Sequence, residues 1–333
     1  MEKVLNSLMA AVMMLILCAL GGTSSAAMDY PTKPITVINP MAPGGANDML
    51  VRPFAALAEK ELGQPVVVVN KAGASGLIGL MASAQAAPDG YTLGMGTTAM
   101  TCVVEWEIAN GRKPQIARQD FTTIGALTQS PTLVIVPFNS PWKTLSDLIN
   151  DCKAKPNYYA FGSAGLYGES HMGCVVVMKA SGIKCRHVPF TGGGPTVTAV
   201  VGGHIDFATQ FPPTSIPLAR ANKLRILAVQ GDRRLKSIPE VPTIKELGID
   251  AEWLTWRGLM VPEKTPTPIV QKLREDMMKV VNTKPFIDTI EGVGEEVRPM
   301  NGVALASYWE TESKRVAELM RDLAREVKEP SPK

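Results

Sequence analysis

Between Pro34 and Met100 the chain three times runs a short β-rich segment into a glycine-bearing turn and then toward a helix-spaced stretch. "PITVINP" leads to "MAPGGAND" and "MLVRPFAALAEKEL"; "PVVVVN" leads to "KAGASGLIG" and "LMASAQAA"; "YTLGMG" leads to "TTAM". Strand-loop-helix alternation of this kind specifies a parallel α/β sheet covered by helices. It restarts after "DFTTIGALTQSPTLVIVP", two β-rich runs separated by Ser-Pro. "TLSDLINDCKAK" reads as a helix capped by Thr144 or Ser146, "YYAFGS" as a strand and "HMGCVVVMKASG" as a helix. "CRHVPF", "HIDFAT" and "LRILAVQ" read as further strands, and the chain is mostly helical from "TPIVQKLREDMMKVVN" onward. With 333 residues, two domains are expected.

Composition narrows the function. A net charge of +3 with no block of like charges gives nucleic acid no electrostatic footprint. The first residues carry Lys3, an apolar run from Leu8 to Leu20 and small residues ending at Ala27, the pattern of a secretory signal peptide over residues 1–27. The mature chain is expected to be exported, periplasmic and monomeric. It keeps Cys102, Cys152, Cys174 and Cys185, whose spacing fits no metal motif. One pair can bridge in an oxidising compartment, or all can remain buried thiols. No metal and no cofactor are expected.

The glycine loops carry the chemistry. "FGSAGLYGESH" places Ser163 and Ser170 near His171, so an exported serine hydrolase is the alternative reading, although G-x-S-x-G spacing is missing. "GMGTTA" fits G-x-G-x-x-A but lacks a convincing helix and the distant acidic residue of a dinucleotide site. "APGGAND", "GSAGLYGES" and "TGGGP" each leave a strand and enter a helix. Taken singly, each is a tight connection. Together they suit a bound carboxylate or phosphate, because glycine admits close backbone approach and a helix N-terminus favours negative charge. None of the three contains arginine or lysine, so backbone N–H groups and hydroxyls must hold the anion.

"YPTKPITVINPMAPGGANDMLVRPFAALAEKELGQPVVVVNKAGASG", "AAPDGYTLGMGT", "DFTTIGAL", "FGSAG", "HVPFTGGGPTVTAVVGGHIDF" and "VPTIKELGI" occur in the order found in the Bug proteins, the solute receptors of tripartite tricarboxylate transporters. The resemblance spans essentially the whole mature chain. It implies a type II periplasmic binding protein fold, two α/β domains with a ligand cleft between them, here residues 28–124 plus 231–333 and residues 125–230. It implies a non-catalytic receptor that captures a small organic carboxylate and delivers it to membrane permease subunits; a sensor docking on a signalling partner is a third reading. The motif match puts Pro43, Gly44, Gly45, Asn47 and Asp48 on one wall with Thr97 and Thr98. It puts Ser163, Ala164, Gly165, Thr191, Gly192 and Gly193 on the other, with Ser163 donating to the carboxylate and His171 capping or packing. Where the family often has aspartate or asparagine after "HIDF", this chain leaves Gln210 as the ligand-side residue.

The chain departs from the family's usual "GSAGNGSSQH" with Leu166, Tyr167, Gly168, Glu169 and Ser170, and its aromatic-glycine pair becomes Trp256-Arg257-Gly258. Leu166, Tyr167, Phe190, Phe211 and Trp256 favour an apolar or aromatic acid over citrate, with Arg257 available to a second carboxylate.

Overall fold

The computed structural model describes residues 29–328. The expected signal peptide, residues 1–27, lies outside the described residues. β1 (Ile35–Asn39) is buried almost throughout, and α1 (Ala46–Leu62) follows the first glycine loop. β2 (Val66–Asn70) alternates, leaving Val67 and Val69 exposed as befits a strand at a sheet edge. Next come α2 (Leu77–Ala84), β3 (Thr92–Thr97) and α3 (Thr98–Ala109). The sequence offered no convincing helix after "GMGTTA", yet α3 runs for 12 residues. Its first five residues are buried all round, polar and apolar alike, so it carries little amphipathic period.

β4 (Phe121–Pro131) and β5 (Leu133–Pro137) are separated by Thr132 alone. α4 (Leu145–Ala154) starts at a capping box: the Asp147 N–H donates to Thr144 Oγ1 at 3.2 Å, and the Thr144 N–H donates to Asp147 Oδ2 at 2.8 Å. Then follow β6 (Ala160–Ser163), α5 (Glu169–Ser181), β7 (Arg186–Pro189), α6 (Gly193–Val201), β8 (Phe207–Gln210), α7 (Pro212–Arg220) and β9 (Leu224–Val229). The chain ends with β10 (Leu254–Pro262), α8 (Thr267–Val281), α9 (Lys284–Gly292), β11 (Met300–Asn301) and α10 (Gly302–Lys328).

Two mixed sheets result. The first has the order β11-β4-β10-β3-β1-β2, parallel across β3-β1-β2 and antiparallel where β10 meets β3 and β4. The second has the order β7-β6-β8-β5-β9, parallel across β7-β6-β8 and antiparallel at β5. β4 belongs whole to the first sheet, so the boundary expected at residue 125 falls inside a strand.

The chain changes sheet at Thr132 and returns after Gln230, and the two crossings are laced together. The Gln230 N–H donates to Thr132 O (2.8 Å), the Trp253 N–H to Gln230 O (2.8 Å) and Thr132 Oγ1 to Gln230 Oε1 (2.8 Å). The Gln230 amide also donates to Gly173 O and Ala251 O, both at 3.0 Å. Each sheet has its own core, one around Trp256 and Trp309, another around Phe161 and Phe207. Among the described residues, no helix is long and apolar enough to cross a membrane.

Candidate functional site

Five helices begin where the two sheets face each other: α1 after Gly45, α3 after Thr97, α5 after Gly168, α6 after Gly192 and α7 after Phe211. The start of each contributes to one inner pocket: Gly45, Ala46 and Asn47; Ala99; Gly168, Glu169 and Ser170; Gly193; and Phe211. First-turn amides have no acceptor within their own helix, and each helix start carries roughly half a positive charge. Several such ends aimed at one space make an anion site without a basic side chain, although α7 opens on Pro212-Pro213 and lacks the first two N–H groups.

The inner pocket encloses about 30 Å³, room for about two water molecules at roughly 15 Å³ each. Sharing Met41, Ser75 and Ala164 with it, a groove of about 560 Å³ opens between walls that include Val103, Trp106, Leu166, Tyr167 and Phe190. That volume suits a small-molecule ligand. Buried polar atoms without a protein partner include Asn47 Nδ2, both amide atoms of Gln210, Glu169 Oε2 and Ser215 Oγ. Buried groups of this kind are ordinarily satisfied, so a polar occupant is implied.

The two walls touch. Ser75 Oγ donates to Leu166 O at 2.8 Å, and the Trp106 and Tyr167 rings stack with centroids 3.7 Å apart. Gly165 has φ +133°, and a Cβ there would stand 2.5 Å from Ser75 Oγ, so glycine is required.

The expected site residues separate into pocket and scaffold. Gly45, Asn47, Ala164 and Gly193 line the inner pocket. Gln210 stands beside Gly193, whose added Cβ would lie 3.1 Å from Gln210 Oε1. Gly165 and Thr191 line the outer groove, and Gly192 faces Ala42 across the cleft. Pro43 and Gly44 are exposed.

Asp48 holds its own loop, accepting from the Gly44 N–H (3.1 Å), Arg52 Nε (2.9 Å) and Asn70 Nδ2 (3.0 Å). Burial pushes its carboxyl up, but those hydrogen bonds outweigh burial and leave it below the usual carboxylate range. Thr97 caps α3, accepting from the Ala99 N–H at 3.1 Å. Thr98 turns into the core, where its hydroxyl donates to Glu312 Oε1 at 2.7 Å.

Ser163 does not offer its hydroxyl to the cleft. It is fully buried and lies 2.8 Å from Gly165 O and 2.7 Å from His187 Nε2, so it shapes the loop. Nor does it meet His171, whose Nδ1 accepts from the Tyr167 N–H at 3.0 Å and whose ring stacks on His187. Ser170 Oγ accepts from the Ala164 N–H at 2.9 Å. Neither serine bonds to His171, the pairing that the serine-hydrolase alternative requires.

Trp256 is a core residue, donating from Nε1 to Glu312 at 2.8 Å. Arg257 is fully buried, paired with Glu295 at 3.3 Å and stacked 4.0 Å over the Phe211 ring. Only Nη1 is held by Glu295; Nε and Nη2 are buried without a protein partner, but Arg257 lines neither the inner pocket nor the outer groove, so it does not face a second carboxylate there. Among pocket residues, the sequence reading gave no ligand role to Met41, Ala42, Ala46, Ser75, Ala99, Gly168 or Glu169, and Ser170 figured there only as a nucleophile. "KAGASG" was a usable signal for Ser75, since it repeats the glycine-loop pattern.

Burial pushes the Glu169 carboxyl up to about 7, with Arg257 pulling it partly back. A carboxyl raised in the fold contributes stability below its ordinary 4.5 that disappears as pH climbs to 7. Burial lowers His171 to about 3 and His187 to about 4, so their stabilisation is instead lost as pH falls below 6.5. The difference between wild type and Glu169→Gln cancels the histidines. Denaturant titrations should show wild type losing up to about 3 kcal/mol relative to Glu169→Gln between pH 4.5 and 7. Parallel curves would mean the carboxyl is not held neutral.

Two α/β lobes closing on a pocket of helix N-termini define a solute-binding protein of the type II periplasmic class. The family described as tripartite tricarboxylate transporter family receptor matches residues 50–324, and the chain belongs to it. Protein BugT of Bordetella pertussis is 30% identical over 80% of this chain and 81% of its own length. MatC of Rhodopseudomonas palustris, solved with bound malate, superposes with a TM-score of 0.81 at 28% identity, covering 87% of this chain and 100% of that one. A second R. palustris protein, solved with adipate, gives 0.80 at 27% identity over 89% and 98% of the two chains. The chain is thus a receptor of the kind that works with tripartite transporter permeases.

Proposed function

We propose that the protein is a non-catalytic periplasmic receptor whose inner pocket takes the carboxylate of a small organic acid while the outer groove takes the rest. The observation that carries this is the convergence of five helix starts on one pocket, with Asn47 Nδ2 in its lining left unpartnered. The pocket residues would be Gly45, Asn47, Ala164, Gly193 and Gln210, with Gly165, Thr191 and Gly192 shaping the walls. The malate and adipate held by its structural neighbours support an acid of this size. The apolar outer walls support a ligand with a hydrocarbon or aromatic portion.

The lobes would exchange at Thr132 and Gln230, and ligand entry would part Ser75 from Leu166 and Trp106 from Tyr167. Delivery would be to the membrane subunits of a tripartite transporter. A thermal-shift screen of malate, adipate, benzoate, terephthalate and citrate should give at least one acid that stabilises the fold by about 2.7 kcal/mol at a hundredfold excess over Kd. Generic esters should not be turned over. Hydrolysis lost in Ser163→Ala would overturn the receptor reading.

A further inference from the structure

We propose that Glu169 is a specificity-determining residue of the inner pocket, selecting an acid that carries a hydrogen-bond donor, a hydroxyl or an amine, over the same acid without one. This rests on the carboxylate-receptor reading. Glu169 opens α5, is 5% exposed and lines the inner pocket beside Asn47 and Gly193. Its Oε2 is buried with no protein donor. Arg257 acts on the Glu169 carboxyl electrostatically, but its Nη1 pairs with Glu295, its Nε and Nη2 make no hydrogen bond, and it does not line the pocket.

The unpartnered amide nitrogens of Asn47 and Gln210, with the helix-start N–H groups, suit the ligand's carboxylate. Once ionised, Glu169 presents the opposite demand: its Oε2 accepts, and a second bare carboxylate placed against it would be repelled. A ligand hydroxyl or ammonium satisfies it. The charged groups acting on Glu169 are Arg257, which favours its ionised form, and Glu312 and Glu295, which oppose it. A carboxyl poised near neutrality by burial can meet either kind of donor.

Calorimetry on the mature chain tests this with matched sets: succinate, malate and aspartate; 3-phenylpropionate, 3-phenyllactate and phenylalanine. In wild type, a donor-bearing member should bind at least about tenfold tighter than its parent acid. Glu169→Ala should reduce that preference below about threefold. Glu169→Gln, which keeps an acceptor oxygen, should retain preference for a hydroxyl but lose it for an ammonium. Acids that bind with no donor preference, or a preference surviving in Glu169→Ala, would overturn the assignment alone. Binding of no acid at all would overturn the carboxylate reading with it.

A separate pair of side chains carries a second inference. Cys152 Sγ, on α4, lies 3.5 Å from Cys185 Sγ, just before β7. Backbone hydrogen bonds clamp the same two segments: the Asn157 N–H donates to Lys184 O (2.7 Å) and the Arg186 N–H to Tyr159 O (2.9 Å). We infer that these thiols form a disulfide on meeting a disulfide donor. Each loses its proton, the S–S bond forms, and the donor disulfide is reduced to two thiols.

The reduced protein, incubated with oxidised glutathione and then denatured and alkylated, should expose only Cys102 and Cys174. Digestion should yield a linked peptide pair holding Cys152 and Cys185. The oxidised form should melt several degrees higher, and Cys185→Ser should abolish that rise. Alkylation of all four, or a different linked pair, would overturn the inference.

Discussion

Replacing Gly192 with valine is expected to weaken ligand binding at least about a hundredfold, or about 2.7 kcal/mol, while the unliganded melting temperature moves by no more than about 3 °C. Gly192 has φ 168° and ψ 175°, an extended conformation open to any residue, so the substitution stores little backbone strain. It also precedes α6 as the N-cap without a side-chain hydrogen bond, so no capping bond is lost. What changes is the approach of the two walls. A Cβ at this position already lies 3.0 Å from the Ala42 side chain on the opposite loop, and the γ-methyls of valine reach further. The clamp is then propped open, and the helix starts cannot close on the anion together. Calorimetry with any acid found in the thermal screen measures this. Undiminished affinity in Gly192→Val would mean that binding does not need this closure.

The largest effect on stability is expected at Glu312. Its carboxylate, 3% exposed as a residue, accepts from Thr98 Oγ1 (2.7 Å), Thr101 Oγ1 (2.9 Å) and Trp256 Nε1 (2.8 Å). One side chain of α10 thereby ties together α3 and β10. Burial pushes its carboxyl up, and the three donors draw it back. Glu312→Ala leaves three buried donors unpaired and opens a void, for a loss of about 4 kcal/mol. At about 2–4 °C per kcal/mol, that is a fall of about 10 °C in Tm. Glu312→Gln keeps an acceptor oxygen and should fall between Ala and wild type. Equal losses for Ala and Gln would show that charge, not hydrogen bonding, is what matters there.

The fold was legible where the local pattern is strong. The "PVVVVN" strand, the Thr144-capped helix and the three expected glycine loops follow from short-range chemistry, and each has its element in the structure. α3 escaped because burial on most sides erases helical periodicity. β10 was not singled out because its "LTWRGLMVP" is buried on both faces and does not alternate. The family's motifs put Gly45 and Gly193 on opposite walls, and both line the inner pocket, because each sits at the loop-to-helix junction the motif marks.

Hydroxyl roles could not be placed this way. Ser163, Thr97 and Thr98 sit in the expected segments, but their hydroxyls bond to His187, the Ala99 amide and Glu312. Two of those partners are distant in sequence. Glu169 was visible as an oddity in "GSAGLYGES". Its meaning depends on what lies opposite, across a cleft that only the tertiary fold assembles.

The strand order of the first sheet sets a timetable. β10 lies between β3 and β4, yet it is made only after the entire second sheet, residues 133–229, has emerged. Until residues 254–262 arrive, β3 and β4 have no common partner and expose unpaired edges. The later lobe in the sequence can therefore finish first, and the earlier one waits for its central strand. Chains truncated before Leu254 would be left with a complete half-clamp attached to an open, adhesive sheet.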